Sequence, residues 1–384
     1  MKILHVIPSL ALEDGGPTHA MIMMEKALSG QGVEVTTATT WGKNTQSLHD
    51  LHGFNGNVRR YYGSRWTTFY KFSPSLFFWL LRHCREYEVV HIHALFSFSS
   101  LAAAVAALWH GVPYVIRPLG TLSRYGVSQH RPLIKSISLR LVEGPLIRRA
   151  SAIHFTSRIE EAEADSYNES PFNIVIPLAV EMPAEITEVC PFEADDGQLV
   201  ILYLSRLDPK KNIEGLISAF GLLAPHYPTA KLIVVGDGPD EFVQSLKLRA
   251  EANGVAERID WTGYLEGMNK WAALARADIF VLPSFSENFG IAAAEALMAG
   301  KACLLGEGVA LSEDVRREKA GLVTEAGVDS IVANLKLLME NAELRRQLGE
   351  RARRFSEQSF SPDKMAVRLI DLYKRIVADA RAVG

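Results

Sequence analysis

The chain has 384 residues, 48% hydrophobic and 22% charged, with a formal net charge of −3. At about 150 residues per domain this suits a soluble globular protein of two or three domains, with cores large enough to need no disulfide or metal staple. Three separated cysteines (Cys84, Cys190, Cys303) with no C-x-x-C pair exclude a disulfide framework and a zinc ribbon and suit a reducing compartment, and the small net charge gives no global field for nucleic acid.

Lys2–Ile7 reads as a strand. The apolar start Met1–Leu10 is followed at once by Glu13 and Asp14, which fits that strand better than a signal peptide. Gly15, Gly16 and Pro17 then turn into a helix running through Leu28. Further strands are expected at Val33–Thr39, Val89–His93, Tyr114–Ile116, Ala152–Phe155 and Asn173–Ile176. Between two of them, Ala94–Trp109 is the longest uncharged apolar stretch. Its 16 residues include three serines, too short and too polar to span a bilayer.

The pattern restarts at Leu199–Leu204 and continues through Lys231–Val235, Ile259–Thr262, Ile279–Leu282 and Ala302–Leu305. Strands alternating with helices indicate parallel βαβ units, hence two doubly wound α/β domains. Pro177–Gln198, with three prolines and several acids, reads as a stiff, exposed linker. Domains are therefore placed at 1–178 and 198–362 with a linker at 179–197, and Pro362–Ala380 is a long amphipathic helix. The charge divides at the same place. Residues 1–180 carry +4 and ten of the 11 histidines, and the remainder carries −7. The halves are expected to do different jobs, with ligands beyond the carboxyl ends of the strands.

Motifs fall at those ends. Gly15-Gly16-Pro17-Thr18 lets backbone N–H groups and a helix N-terminus meet an anion such as a diphosphate, although a plain tight turn explains it as well. Ser205-Arg206-Leu207-Asp208-Pro209-Lys210-Lys211-Asn212 sets two cations five residues apart on a strand-to-helix loop, able to grip a diphosphate, or simply a solvated basic loop. Glu287-Asn288-Phe289-Gly290-Ile291 opens a helix that carries Glu295 eight residues after Glu287. Two such carboxylates can hold the hydroxyls of two sugar rings, or else serve one as a helix-dipole partner and one as an exposed helical acid. His91 and His93 share a strand face and can meet one ligand or metal. Spacing gives them no third ligand, so no metal is expected. His93 is expected to line a cleft, and His91 reads as a satisfied core histidine. Residues 59–85 interleave basic and aromatic side chains, which suits a membrane interface or sugar stacking, although core packing explains much of it. No RNA- or DNA-binding pattern accompanies them.

Together, Gly15-Gly16, the Ser205–Asn212 loop, Val235-Gly236-Asp237-Gly238-Pro239 and the Glu287/Glu295 pair resemble the retaining GT-B glycosyltransferases of family 4 over nearly the whole chain. The resemblance implies an acceptor-binding N-terminal domain, a donor-binding C-terminal domain, and a last helix, 363–384, returning to the first. It implies Arg206 and Lys211 on the donor diphosphate and Glu287 on the transferred sugar. Asn288, Phe289, Gly290 and Ile291 would offer contacts to sugar and phosphate, and Glu295 would hold the ribose. Gly15, Gly16 and Gly236 would lie along the donor, His93 beside its sugar, and Tyr264 and Leu265 near its base. The departure at Val115-Ile116-Arg117-Pro118, where the family often has a histidine, assigns Arg117, with His91, to the acceptor side. Transfer is expected to be front-face and metal-independent, without a cofactor. A UDP-sugar such as UDP-glucose is the first choice of donor and GDP-mannose the second. The acceptor is expected to be a polysaccharide or lipid-linked glycan, met by a cytoplasmic enzyme lying peripherally on the inner membrane face through residues 59–85. A nucleotide-sugar epimerase of the same fold and a non-catalytic sugar-nucleotide sensor are the alternatives.

Overall fold

The computed structural model describes residues 1–11, 16–41, 57–67, 69–122, 132–164, 172–187, 190–193, 195 and 197–383. It divides into two compact units, Met1–Ala179 with Pro362–Gly384, and Val180–Ser361.

The first unit is built on β1 (Lys2–Val6), β2 (Glu34–Trp41), β3 (Val58–Ser64), β4 (Val89–His93), β5 (Tyr114–Arg117), β6 (Ala152–Phe155) and β7 (Asn173–Val175). Their order is β3-β2-β1-β4-β5-β6-β7, parallel throughout. Helices cover both faces, so the central strands are buried along their length, as β4 is at all five positions. On one face α1 (Gly16–Gly30) and the C-terminal helix Pro362–Val383 share a core with Ile3, Val35, Val89 and Val115, into which Met21, Met24, Leu369 and Tyr373 project. On the other, α2 (Pro74–His83) and α3 (Phe98–His110) pack on Leu4, Val6, Val90, Ile92 and Ile116.

Local chemistry sets these helices. Ser73 and Ser97 cap α2 and α3 by accepting from the N–H groups of Leu76 and Ser100. Buried alanines from Ala102 to Ala107 let α3 lie close to the sheet. Gly111, left-handed at φ 66°, ends it.

Strand β3 is an element the sequence reading missed. Its run Val58-Arg59-Arg60-Tyr61-Tyr62 looked like a basic, aromatic surface because an edge strand tolerates charge. In the fold Tyr61 stacks on Trp79 at 4.4 Å between ring centroids, and Arg60 donates two hydrogen bonds to the buried Glu25 carboxylate. Part of the stretch read as membrane-facing is thus internal packing, while Trp66, Phe72 and Phe78 stay exposed. Among the described residues no helix is long and apolar enough to cross a membrane.

The second unit carries β8 (Leu199–Leu204), β9 (Ala230–Val235), β10 (Ile259–Gly263), β11 (Ile279–Leu282), β12 (Ala302–Gly306) and β13 (Gly321–Thr324). The order is β10-β9-β8-β11-β12-β13, again parallel. Three of its helices matter below: α4 (Ile213–Leu223), α5 (Gly267–Arg276) and α6 (Ile291–Met298). The four-residue β13 also escaped the sequence reading. Between β7 and β8 no strand or helix forms among the described residues. This stretch is not the exposed linker expected throughout, however. Leu178, Ala179 and Val180 are buried, and the Val180 N–H donates to the Phe360 carbonyl at 2.9 Å.

Candidate active site

In each sheet the strand order reverses beside the first strand, between β1 and β4 and between β8 and β11. Loops diverge there, which leaves room for a ligand at the carboxyl ends.

In the second unit, β8 runs into Ser205–Asp208, then a short turn Pro209–Lys211 capped by the Asp208 side chain, then α4. Asn212, left-handed at φ 55°, fixes the turn by donating from Nδ2 to the Pro283 and Ala326 carbonyls. Lys211 is 5% exposed. Its ammonium reaches the Glu287 carboxylate, on the loop that follows β11. Burial first, then the charges of Lys210 and Arg206, weaken its hold on the proton, while the Asp208 carboxylate works the other way. Arg206 is exposed on the same loop. Across from it, the Leu207 N–H donates to the Asp237 carbonyl at 2.8 Å. Gly236, at φ 142°, sits so close that a Cβ would strike the Ser205 carbonyl. Gly236 is therefore required by packing of the β9 loop under the Arg206 loop.

Glu287 is held at both backbone ends. Its N–H donates to Gly308 and its carbonyl accepts from Ala310. Asn288 is half-buried, and Phe289 packs edge-on against Phe360 at 2% exposure. Gly290, at φ 85°, makes the turn into α6, which starts at Ile291. The first N–H groups of a helix have no acceptor within it, so this turn offers donors to an oxygen ligand. Glu295 lies one turn further and accepts from Lys270 Nζ of α5 at 2.5 Å. Tyr264 is exposed and Leu265 half-buried between β10 and α5. The fold thus brings Arg206, Lys211, Glu287 and Gly290 onto loops, and Glu295 onto α6, at the carboxyl ends of the central strands of the second sheet. It adds Lys270 and Asn212, which the sequence reading did not single out. Lys270 was legible only as one lysine on an amphipathic helix.

The first unit holds the remaining residues. Gly15 lies outside the described residues, and Gly16 is exposed at the start of α1. His91, His93 and Arg117 are fully buried, so His93 does not line an open cleft as expected. The register explains this. His5 pairs with Thr37 and His91, and His93 pairs with Arg117. With a period of two, all five side chains stand on the sheet face covered by α1 and the C-terminal helix, above its apolar core.

A directed hydrogen-bond chain crosses this row. The Ile176 carbonyl accepts from His154 Nε2 at 2.8 Å, so His154 Nδ1 is the acceptor for His91 Nε2 at 3.3 Å. His91 Nδ1 then accepts from the Tyr373 hydroxyl at 2.8 Å. His91 is thereby satisfied, as a core histidine should be. His5 Nδ1 and His93 Nε2 share a second bond of 2.8 Å. Burial holds all four imidazoles neutral, with Arg117 adding repulsion. His5 and His154 fall to about 3, and His91 and His93 well below their usual value. Arg117 drops only to about 10, so it stays charged.

His5 supplies the third histidine that spacing could not reveal. Nitrogens of His5, His91 and His93 lie within 4.8 Å of one another, close enough to share an ion. Two facts turn the cluster against a cation. Both His91 nitrogens are already engaged, and the Arg117 guanidinium stands on the adjoining strand.

The sequence matches two family models, Glycosyl transferase 4-like domain over residues 15–178 and Glycosyl transferases group 1 over residues 189–355. It is 26% identical over 185 residues to N-acetyl-alpha-D-glucosaminyl L-malate synthase of Bacillus anthracis, covering 48% of this chain and 47% of that protein. The chain thus spans about half the length of that relative. It is 25% identical over 331 residues to D-inositol 3-phosphate glycosyltransferase of Salinispora tropica, covering 78% of this chain and 66% of that one. Among solved structures, an Anabaena protein in complex with UDP and glucose aligns with a TM-score of 0.77 at 18% identity, over 98% of this chain and all of that one.

Proposed function

The chain belongs to the group 1, GT4-type glycosyltransferases with a GT-B fold, and from that premise we propose that it moves a sugar, with retention of configuration, from a nucleotide-sugar donor to a glycan or lipid-linked acceptor. The observation that carries the reading is the pair of lysine–glutamate contacts, Lys211 with Glu287 and Lys270 with Glu295, at the carboxyl ends of the second sheet.

Arg206 and Lys211 take the donor diphosphate. A cation in a partly dry site acts on developing charge far more strongly than one in water. The negative charge that grows on the leaving nucleotide is met by these two groups, so no metal clamp is needed. Glu287 accepts from hydroxyls of the transferred sugar and Glu295 from the ribose. The N–H groups at Asn288, Phe289, Gly290 and Ile291 complete the oxygen contacts, and Tyr264 and Leu265 meet the base. An oxygen of the donor phosphate accepts the proton of the attacking hydroxyl on the same face of the sugar.

A UDP-sugar is preferred, in line with the UDP held by the Anabaena protein, with GDP-mannose second. The two relatives are named for L-malate and inositol 3-phosphate, molecules that carry a carboxylate or a phosphate. A lipid-linked acceptor would be met at a membrane surface through exposed Trp66, Phe72, Phe78 and Trp109, with Arg82 on the same helix as Phe78.

The test is turnover. The full chain, given UDP-glucose or GDP-mannose and an acceptor extract, should release nucleotide and form a product with the donor's anomeric configuration by NMR. Arg206→Ala should lower kcat about a hundredfold with little change in KM, because its contact strengthens as the diphosphate departs. An Arg206→Ala enzyme with unchanged kcat removes that residue from the mechanism. A product of inverted configuration removes the front-face step.

A further inference from the structure

We infer that the buried polar row of the first unit is an anion subsite, in which Arg117, His93 and His5 hold a phosphate or carboxylate group carried by the acceptor. That the ligand is the acceptor rests on the glycosyltransferase reading. That the site takes an oxyanion rests on the row itself.

Arg117 is 1% exposed, and its Nε and Nη1 have no hydrogen-bond partner among the described residues. Glu160 is the carboxylate whose charge reaches it. Yet Glu160 turns both oxygens elsewhere. One accepts the Gly120 N–H at 2.7 Å, and the other accepts the N–H and hydroxyl of Thr156, both at 2.7 Å. A buried guanidinium without an ion pair is unfavourable, and a protein retains one where something else supplies the negative charge.

The neighbours have the matching chemistry. His93 Nδ1, His5 Nε2 and the hydroxyls of Thr37 and Thr39 are also buried without partners among the described residues. His5 and His93 share one proton between Nδ1 and Nε2. In either tautomer one of their two outward nitrogens is left as a donor. The row therefore combines one fixed positive charge on β5 with an imidazole N–H from the neighbouring β4 and β1, on one face by register, while the two hydroxyls stand further along that face on β2. No side chain in it is negative. An oxyanion accepts from the guanidinium and from the imidazole N–H, and a guanidinium binds phosphate and carboxylate most strongly of all. The row also has the right address, since His93 and Arg117 are the last residues of β4 and β5.

The experiment is a thermal-shift titration of the full-length protein at constant ionic strength with inorganic phosphate, with malonate, and separately with UDP. Phosphate or malonate should raise the melting temperature, and the stronger of the two names the acceptor group as phosphate or carboxylate. In Arg117→Met the anion shift should vanish, a loss of at least about tenfold in apparent affinity, while the UDP shift persists. Without anion, Arg117→Met should melt at or above the parent, because an unpaired buried charge is gone. A purely structural arginine predicts a lower melting temperature. Should Arg117→Met fail to fold, His93→Leu, which has no donor, reads the same loss. An anion shift that survives in the folded variant overturns the subsite, as does a folded parent that responds to neither anion. An anion shift without any nucleotide shift would leave the subsite standing and count against the donor reading.

Discussion

Acidification should destabilise the first unit through its buried histidines, and the size of the effect can be worked out. His154 is fully buried, hydrogen-bonded as a neutral ring between Ile176 and His91, and binds its proton only near pH 3. In the unfolded chain it binds a proton near pH 6.5. Between those values the unfolded state holds more protons than the native one, so stability is fully present above about pH 6.5 and falls as pH drops. Each unit below about 6.5 removes roughly 1 kcal/mol per such group. Glu143 acts in the opposite sense, since burial raises its carboxyl to about 7 and acid then favours its native form. A comparison of parent with His154→Gln cancels Glu143 and every other shared group. Urea unfolding at pH 7.5, 6.5 and 5.5 would be followed by tryptophan fluorescence, with Trp261 and Trp271 replaced by Phe so that the first unit reports. His154→Gln starts less stable, because the amide does not fill the ring's packed place between Ile176 and His91. Its deficit should shrink by roughly 1 kcal/mol between pH 6.5 and 5.5. A deficit that stays constant would refute the claim that His154 is held neutral.

Three further outcomes follow from particular contacts. Tyr373→Phe removes the donor to buried His91 Nδ1 and should cost about 1–3 kcal/mol by urea unfolding, with nucleotide binding unaltered. Gly236→Ala places a Cβ against the Ser205 carbonyl at a left-handed φ and should destabilise the second unit by about 2 kcal/mol or more, displacing Arg206 and lowering turnover with it. Lys270→Met removes the cation that holds the Glu295 carboxylate in place, so nucleotide affinity by calorimetry should fall about tenfold.

The parallel sheets were legible because their inner strands are short β-branched runs buried on both faces, as in Leu199–Leu204. Strand β3 was not, since its charged and aromatic residues satisfy an edge and mimic an open surface. The residues proposed to meet the donor were legible in the sequence because glycine and proline mark the chain's turns, and Glu287 and Glu295 keep a fixed spacing. Lys270 reaches Glu295 only through the packing of one helix beside another, which no local pattern encodes. The same holds for the histidine row. His91 and His93 announce themselves by alternation, but His5 and His154 join them from other strands through register. His93 was expected to line a cleft because it ends a strand, and sequence alone did not show that α1 and the C-terminal helix cover that face.

The central claim, that the second unit holds a nucleotide-sugar through Arg206, Lys211, Glu287 and Glu295, is tested most directly by a thermal-shift screen of the full chain against UDP, GDP, ADP and their sugar conjugates. A ligand that binds the folded state raises its melting temperature. The account predicts a rise with one nucleotide family, UDP before GDP, that Glu295→Ala abolishes. A folded chain that responds to none of them, or a rise that Glu295→Ala leaves intact, would contradict it.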